Sequence, residues 1–382
     1  MDVVMEKPTL ALFALLRNFL GRGRSDGRDL LSALSKADWE TVVNMAFEQG
    51  LAALMVDGLG CACSEMVEGI RFLESDKLEG LRYELFGAAI TCEEDYAKFG
   101  GVISYLAKLF EENGLKMMVL KGYGLSQDYP IPTHRSLGDI DIFLSDGNIP
   151  VSGPNPAALK GDEVFRSMGL HVNCVNSHHS QIQYQGITIE NHHFIFDNDS
   201  HLSNIRVERE LRTLLNFSRK CSVEGMDVYL PNPTFGILHL LRHSGGDFCT
   251  SSLILRQVID YGMFVRAHHD DIDWDVVCGT AREFCFNRFM DCMNSICVDY
   301  LGLDRFLFPT FEEDKSLVGR IVNDMFQPEF RDEIPPREKL LKYGFVKTKR
   351  LLANRWKYKL VYEEGLLKSF WVLAKNRIKD KI

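Results

Sequence analysis

The chain has 382 residues, of which 46% are hydrophobic and 25% charged. That is an ordinary balance for a soluble globular protein, and the length allows a real core and roughly two or three domains. The formal net charge of −9 argues against a general nucleic-acid binder, which needs a basic footprint.

Leu10, Phe13, Leu16 and Phe19 follow helical spacing. Arg17 interrupts that apolar run, and Asp2 and Glu6 precede it. It therefore reads as an amphipathic helix rather than a signal peptide. Trp39, Val42, Val43 and Ala46 repeat the helical pattern, so residues 8 to about 95 are expected to be helical. Ala97–Asn113 predicts a further helix with Val102, Tyr105, Leu106 and Leu109 on one face and Gly114 as its stop. Lys116–Lys121 reads as a buried strand and Asp139–Leu144 as a second, closed by the turn signal Ser145-Asp146-Gly147-Asn148. Val151–Pro156 reads as loop, Ala157–Met168 as a helix stopped by Gly169, and Gln181–Gln185 with Ile187–Phe196 as a hairpin around Gly186.

From Thr234 the helical period returns in Phe235–His243, Leu253–His268 and Val276–Leu301. Phe306–Pro336 is mixed and ends in Ile334-Pro335-Pro336, a candidate linker. The last stretch, Arg337–Ile382, is basic with interleaved aromatic residues. It reads as an amphipathic helical tail, with contact to a partner or to a membrane surface set against an ordinary solvated helix face. No run reaches the about 18 unbroken apolar residues of a membrane span. The cysteines are scattered without a CxxC pair, which disfavours a zinc cage and suits a reducing cytosol. The expected architecture is α+β: a helical region over 1–95, a small mixed-sheet core over 96–200, a helical domain over 201–335 and the basic tail over 336–382.

The chemistry concentrates in Val119–Leu144. Asp139 and Asp141 stand two apart between apolar residues, so a strand projects both carboxylates from one face. Like charges that close are costly to desolvate unless a cation lies between them. Carboxylates select hard ions, Mg²⁺ or Mn²⁺. Gly122 and Gly124 follow the first buried strand, and a glycine turn lets the backbone approach a phosphate.

Leu120-Lys121-Gly122, Tyr129-Pro130, Arg135 and Gly138-Asp139-Ile140-Asp141-Ile142 resemble the signature of the DNA polymerase β-like nucleotidyltransferases, in particular their uncharacterised bacterial branch. Asp38-Trp39, Ala46…Gly50-Leu51 and Leu238-His239-Leu240…His243 resemble the flanking helices of that branch. The later strand Ile187–His193 stands where the branch has a VELHW-like strand, with Asn191 and His193 in place of apolar residues. Tyr123 replaces the glycine or serine that usually follows Gly122, and the spacing from Gly122 to Asp139 is longer than is common.

The resemblance implies that Asp139, Asp141 and Glu190 hold two Mg²⁺ ions, Glu190 acting as ligand or general base, with Asp197 as the alternative acid. It implies that Lys121, Gly122, Gly124 and Arg135 grip the triphosphate of an NTP, surface pairing being the other reading for Arg135. The reaction would be transfer of a nucleoside monophosphate to an acceptor, in the cytoplasm. A sugar or small metabolite fits the acidic charge. A tRNA or protein acceptor, as in toxin-type members, fits the basic tail. The Tyr123 and Asn191 departures keep open a binding protein without catalysis, and an interaction protein is a third class. His192 shares the Glu190 face and either orients the site or sits near the metal. His178 and His179 read as exposed in a turn, His239 and His243 as helix packing, and Arg256 with Asp260 as a structural pair.

Overall fold

The computed structural model of the chain describes residues 5–21, 27–64, 79–174, 178–198, 201–336, 339–363 and 365. Among these, α1 (Lys7–Phe19), α2 (Arg28–Ser32), α3 (Lys36–Glu48), α4 (Ala52–Ser64) and α5 (Glu79–Glu112) precede the first strand. Helix α1 has Pro8 in its first turn, where no N–H is needed, and buries Leu12, Phe13, Leu16 and Phe19 along one stripe. Helix α3 begins on a capping box: the Ser35 hydroxyl accepts from the Asp38 N–H, and the Asp38 carboxylate accepts from the Ser35 N–H.

The centre runs β1 (Lys116–Val119), α6 (Tyr123–Ser126), β2 (Asp139–Ser145), α7 (Pro156–Ser167), β3 (Val172–Asn173), β4 (His179–Tyr184), β5 (Ile187–His192), α8 (Leu202–Leu214), β6 (Arg219–Val223) and β7 (Met226–Leu230). The strands form one mixed sheet in the order β3-β4-β5-β2-β1-β7-β6. β2 is antiparallel to β1 and parallel to β5, and Asp141 lies beside Glu190 in register. Period 2 sorts the residues of β2 between two environments. Ile140, Ile142 and Leu144 join Phe110, Phe165, Ile182 and Ile189 in an apolar cluster with α5 and α7. Asp139 and Asp141 therefore face the other way, toward the helical part of the chain.

That part consists of α9 (Pro233–Thr250), α10 (Leu255–His268), α11 (Trp274–Glu283), α12 (Asn287–Asp299), α13 (Lys315–Phe326), α14 (Leu340–Ala353) and α15 (Arg355–Val361). Its buried residues share one cluster with α1, α3 and α4, and Phe143 of β2 and Met118 of β1 reach into it. Gln49 ties the two helical regions polarly: its amide donates to the Met325 carbonyl at 3.1 Å and accepts from the Leu255 N–H at 2.6 Å.

Three features differ from the sequence reading. β6 and β7 form a hairpin whose turn, Glu224-Gly225, takes left-handed φ of 48° and 82°. Helix α8 lies in a stretch for which the sequence pattern predicts no element. The helix expected over Val276–Leu301 breaks between α11 and α12, where Cys285 adopts φ 60°. Of the basic tail, Lys368, Phe370, Trp371, Lys375, Arg377, Lys379 and Lys381 lie outside the described residues. Within the described part, α15 is docked. Lys357 is fully buried, donating to the Ser251 carbonyl at 2.7 Å and pairing with Asp324 at 2.5 Å. No helix among the described residues is long and apolar enough to cross a membrane.

Two measurements check these contacts. Removing one partner of a buried ion pair leaves an uncompensated charge, so Lys357→Ala should lower stability by about 3–5 kcal/mol in urea unfolding. His134 bridges Asp57 at 2.8 Å and Glu93 at 3.1 Å, pinning the loop before β2 to α4 and α5. The hydrogen bond to Asp57, and then its charge, raise the His134 pKa above its ordinary value against the opposing effect of burial. Its stabilisation is therefore complete below about pH 6.5, the unfolded value, and is lost as pH rises through the higher folded value. The His134→Gln variant should lack that fall when urea midpoints are compared from acid to alkaline pH.

Candidate active site

Side-by-side strands place the three acids. Asp139 and Asp141 share a face of β2, and the parallel register sets Glu190 of β5 next to Asp141 and Thr188 next to Asp139. The Asp141 side chain is wholly buried. Lys121, at the end of β1, puts its ammonium 2.8 Å from Asp141 Oδ2 and 3.6 Å from Asp139 Oδ2. From the other side, His192 Nε2 lies 2.9 Å from Asp141 Oδ1.

These contacts divide the carboxylates electrostatically. Burial alone would raise the Asp141 pKa, but the Lys121 charge and the His192 hydrogen bond outweigh it and hold the group well below its ordinary value. Asp139 is raised, by burial and then by Asp141. Glu190 is raised for the same two reasons. Burial works against the charge of Lys121, yet Asp141 and Asp139 keep its pKa above the ordinary lysine value. One cation thus sits between two carboxylates that share a face.

Asp139 and Glu190 stand at one wall of a cleft of about 560 Å³, a size suited to a small ligand, while Asp141 is buried and does not line it. Lys121, Gly122, Asp139, Thr188 and Glu190 form the sheet side, while Leu240, His243, Ser244 and Asp247 of α9 and Arg256, Gln257 and Asp260 of α10 form the helical side. Gly122 has φ 65°, a conformation costly for a side chain, and an added Cβ would stand 3.4 Å from the Asp139 carbonyl oxygen. Gly124 is not brought to the cleft. It packs inside α6, where a Cβ would come within 2.9 Å of Leu230. Tyr123 is buried and stacks on Tyr96 at 4.5 Å, so its bulk points away from the turn's open side.

Arg135 lines the cleft, but its fork is occupied. Nε and Nη2 each donate to Asp260 at 2.8 Å, and the Tyr129 hydroxyl donates to the same carboxylate at 2.7 Å. Tyr129 and Arg135, the loop residues of the sequence signature, thus converge on one buried acid of α10. Asp260 therefore pairs with Arg135 and not with Arg256, which corrects the expectation of a helical pair four residues apart. Arg256 instead donates to Ser136 Oγ at 2.6 Å. Its pKa is lowered, by burial and then by Arg135. It is a cleft residue that the sequence reading missed. Its cue was present, a guanidinium one helical turn from an acid, but not the information that Arg135 would claim that acid.

The departures at Asn191 and His193 resolve on the back of the sheet. The Asn191 amide donates to Asp162 Oδ1 at 2.8 Å and to the Ala158 carbonyl at 2.8 Å, while His193 Nε2 lies 3.0 Å from Asp162 Oδ2. They fasten α7 to β5 away from the cleft. Asp197 is exposed beyond β5 and does not line the cleft. His239 is buried between Phe235 and Phe196, in helix packing, whereas His243 reaches the cleft. His178 and His179 are not the exposed turn expected. His179 is buried in β4 as the register partner of His192, and His178 packs its ring 4.4 Å from that of His179.

One ligand atom from each of Asp141, Glu190 and His192 lies within 4.8 Å of the others. Together with Asp139 on the same face, this donor set fits a divalent ion in the place that the Lys121 ammonium holds against the two aspartates. His192 Nδ1 lies 3.1 Å from the Phe194 carbonyl oxygen, the outer hydrogen bond that orients a ligating imidazole.

The family model described as "Uncharacterised nucleotidyltransferase" matches residues 35–302. No curated protein and no solved structure matches the chain.

If Lys121 stands where an ion binds, the Lys121→Ala variant should melt lower than the parent without divalent ions. Added Mg²⁺ or Mn²⁺ should then raise its melting temperature more than that of the parent. An equal rise in the two proteins would contradict the shared position.

Proposed function

This chain belongs to the uncharacterised nucleotidyltransferase family, and we propose that it moves a nucleoside monophosphate from an NTP to an acceptor hydroxyl or phosphate, releasing pyrophosphate. The observation that carries this reading is the convergence of Asp139, Asp141 and Glu190 on one sheet face beside a cleft with cationic side chains. Two divalent ions, Mg²⁺ or Mn²⁺, held by these acids would neutralise triphosphate charge and make the acceptor oxygen more acidic.

The chain's own groups supply the rest. The acceptor oxygen attacks the α-phosphorus, and the bond to the β-phosphate bridging oxygen breaks in line. Glu190, whose raised pKa suits a base, takes the acceptor proton. The Gly122 turn admits the phosphates close to the backbone. Lys121 and Arg256 meet their charge, since among the described residues Arg256 donates only to Ser136 while the other cleft guanidinium, Arg135, is taken by Asp260. Arg135 contributes mainly by fixing Asp260 and the loop wall. The cleft between sheet and helices suits a sugar or another small molecule as acceptor, and the acidic net charge weighs against RNA. The protein acts in the cytoplasm on this reading.

The test is a lysate incubation with α-labelled NTPs and Mg²⁺, with pyrophosphate measured alongside. Label should enter the small-molecule fraction. Asp139→Asn should cut pyrophosphate release by about 10³-fold or more while leaving the circular dichroism unchanged. Undiminished release in that variant refutes the assignment, and label in RNA or protein instead would favour a toxin-type acceptor.

A further inference from the structure

Imidazoles crowd one end of the carboxylate cluster. His179 opens β4, His192 closes β5, and the two are cross-strand partners. His178 precedes β4, and its carbonyl accepts from the His193 and Phe194 N–H groups at 2.9 and 3.0 Å, so its backbone is pinned to the end of β5. The ring centroids lie 4.4, 5.0 and 5.5 Å apart. His178 Nδ1 and His179 Nδ1 are 3.0 Å apart. One nitrogen from each of the three rings lies within 4.8 Å of the other two.

We propose that His178, His179 and His192 hold a transition-metal ion of borderline softness, of the Zn²⁺ or Co²⁺ class, beside the hard-ion site. Three convergent imidazoles are a poor environment for Mg²⁺, which takes oxygen ligands and gives up water reluctantly. They suit Zn²⁺, Co²⁺ or Ni²⁺. Glu190 Oε1 stands 3.3 Å from His179 Nε2 and closes the cluster on the sheet side. With Nδ1 3.1 Å from the Phe194 carbonyl oxygen, His192 would present Nε2 to the ion, exchanging the 2.9 Å contact that this nitrogen makes with Asp141 Oδ1. The two clusters of three share His192, and Asp139, the acid whose variant tests the transfer reading, belongs to neither. A bound ion would clamp the start of β4 to the end of β5.

The experiment is equilibrium dialysis of the full chain against Zn²⁺ in a large excess of Mg²⁺, with Co²⁺ substitution read by visible absorption. The expected result is about one equivalent of Zn²⁺ retained per chain and the intense absorption of four- or five-coordinate Co²⁺. His178→Ala, and separately His179→Gln, should weaken retention at least about tenfold with circular dichroism unchanged. Asp139→Asn should retain the ion. Displacement of Zn²⁺ by Mg²⁺, or equal affinity in the parent and in a folded histidine variant, overturns the proposal. Either result leaves the transfer reading intact, because that is judged on pyrophosphate release.

Discussion

Repulsion among acids held on one sheet face is the constraint around which this molecule is arranged. Asp141 is wholly buried beside Asp139 and Glu190, and a group of such acids survives in a dry place only with positive charge or hydrogen-bond donors close by. Lys121 provides the first and His192 the second. His192 closes β5, the strand paired with β2, while Lys121 lies two residues past β1, where the chain has left the strand and turns its ammonium toward the acids. Slipping β5 by one residue would turn His192 to the apolar back face.

A second device stiffens the opposite wall. Tyr129 and Arg135 reach from the loop before β2 to Asp260 on α10, and burial makes that three-way contact strong. Ser136 and Arg256 extend it by one more hydrogen bond. The loop and the helix that bound the cleft are therefore fixed to each other without the acids of β2. This division lets the acidic face change its charge state without loosening the wall.

Much of this was legible in the sequence. A continuous apolar run gave β1, alternation gave β2, and the Gly186 turn gave the β4–β5 hairpin. Adjacency of Glu190 and Asp141 came from family resemblance rather than from any local pattern, since the two are joined only through a parallel pairing. The β6–β7 hairpin was missed although Glu224-Gly225 separates two short runs. Those runs carry Lys220, Ser222 and Asp227, and the polar positions hid the alternation. Partner choice was the least legible property. Arg256 and Asp260 stand at ideal helical spacing, yet Asp260 is taken by an arginine 125 residues away in sequence. The histidines failed similarly, because local polarity suggested solvent where strand pairing created an interior.

Helix α9 has two occupied sides. Leu240, His243, Ser244 and Asp247 line the cleft, while Arg242 donates to the Val361 carbonyl, stacks 4.4 Å over Tyr362 and grips Ser203 and Asn204. Gly245 leaves just enough space for Val361, which an added methyl would approach to 2.8 Å. Helix α15 and Tyr362 are thereby packed against the same helix that lines the cleft. Displacing α15 would remove the support beneath the side of α9 that lies opposite the cleft, so a segment more than a hundred residues further along the chain braces the cleft's helical wall.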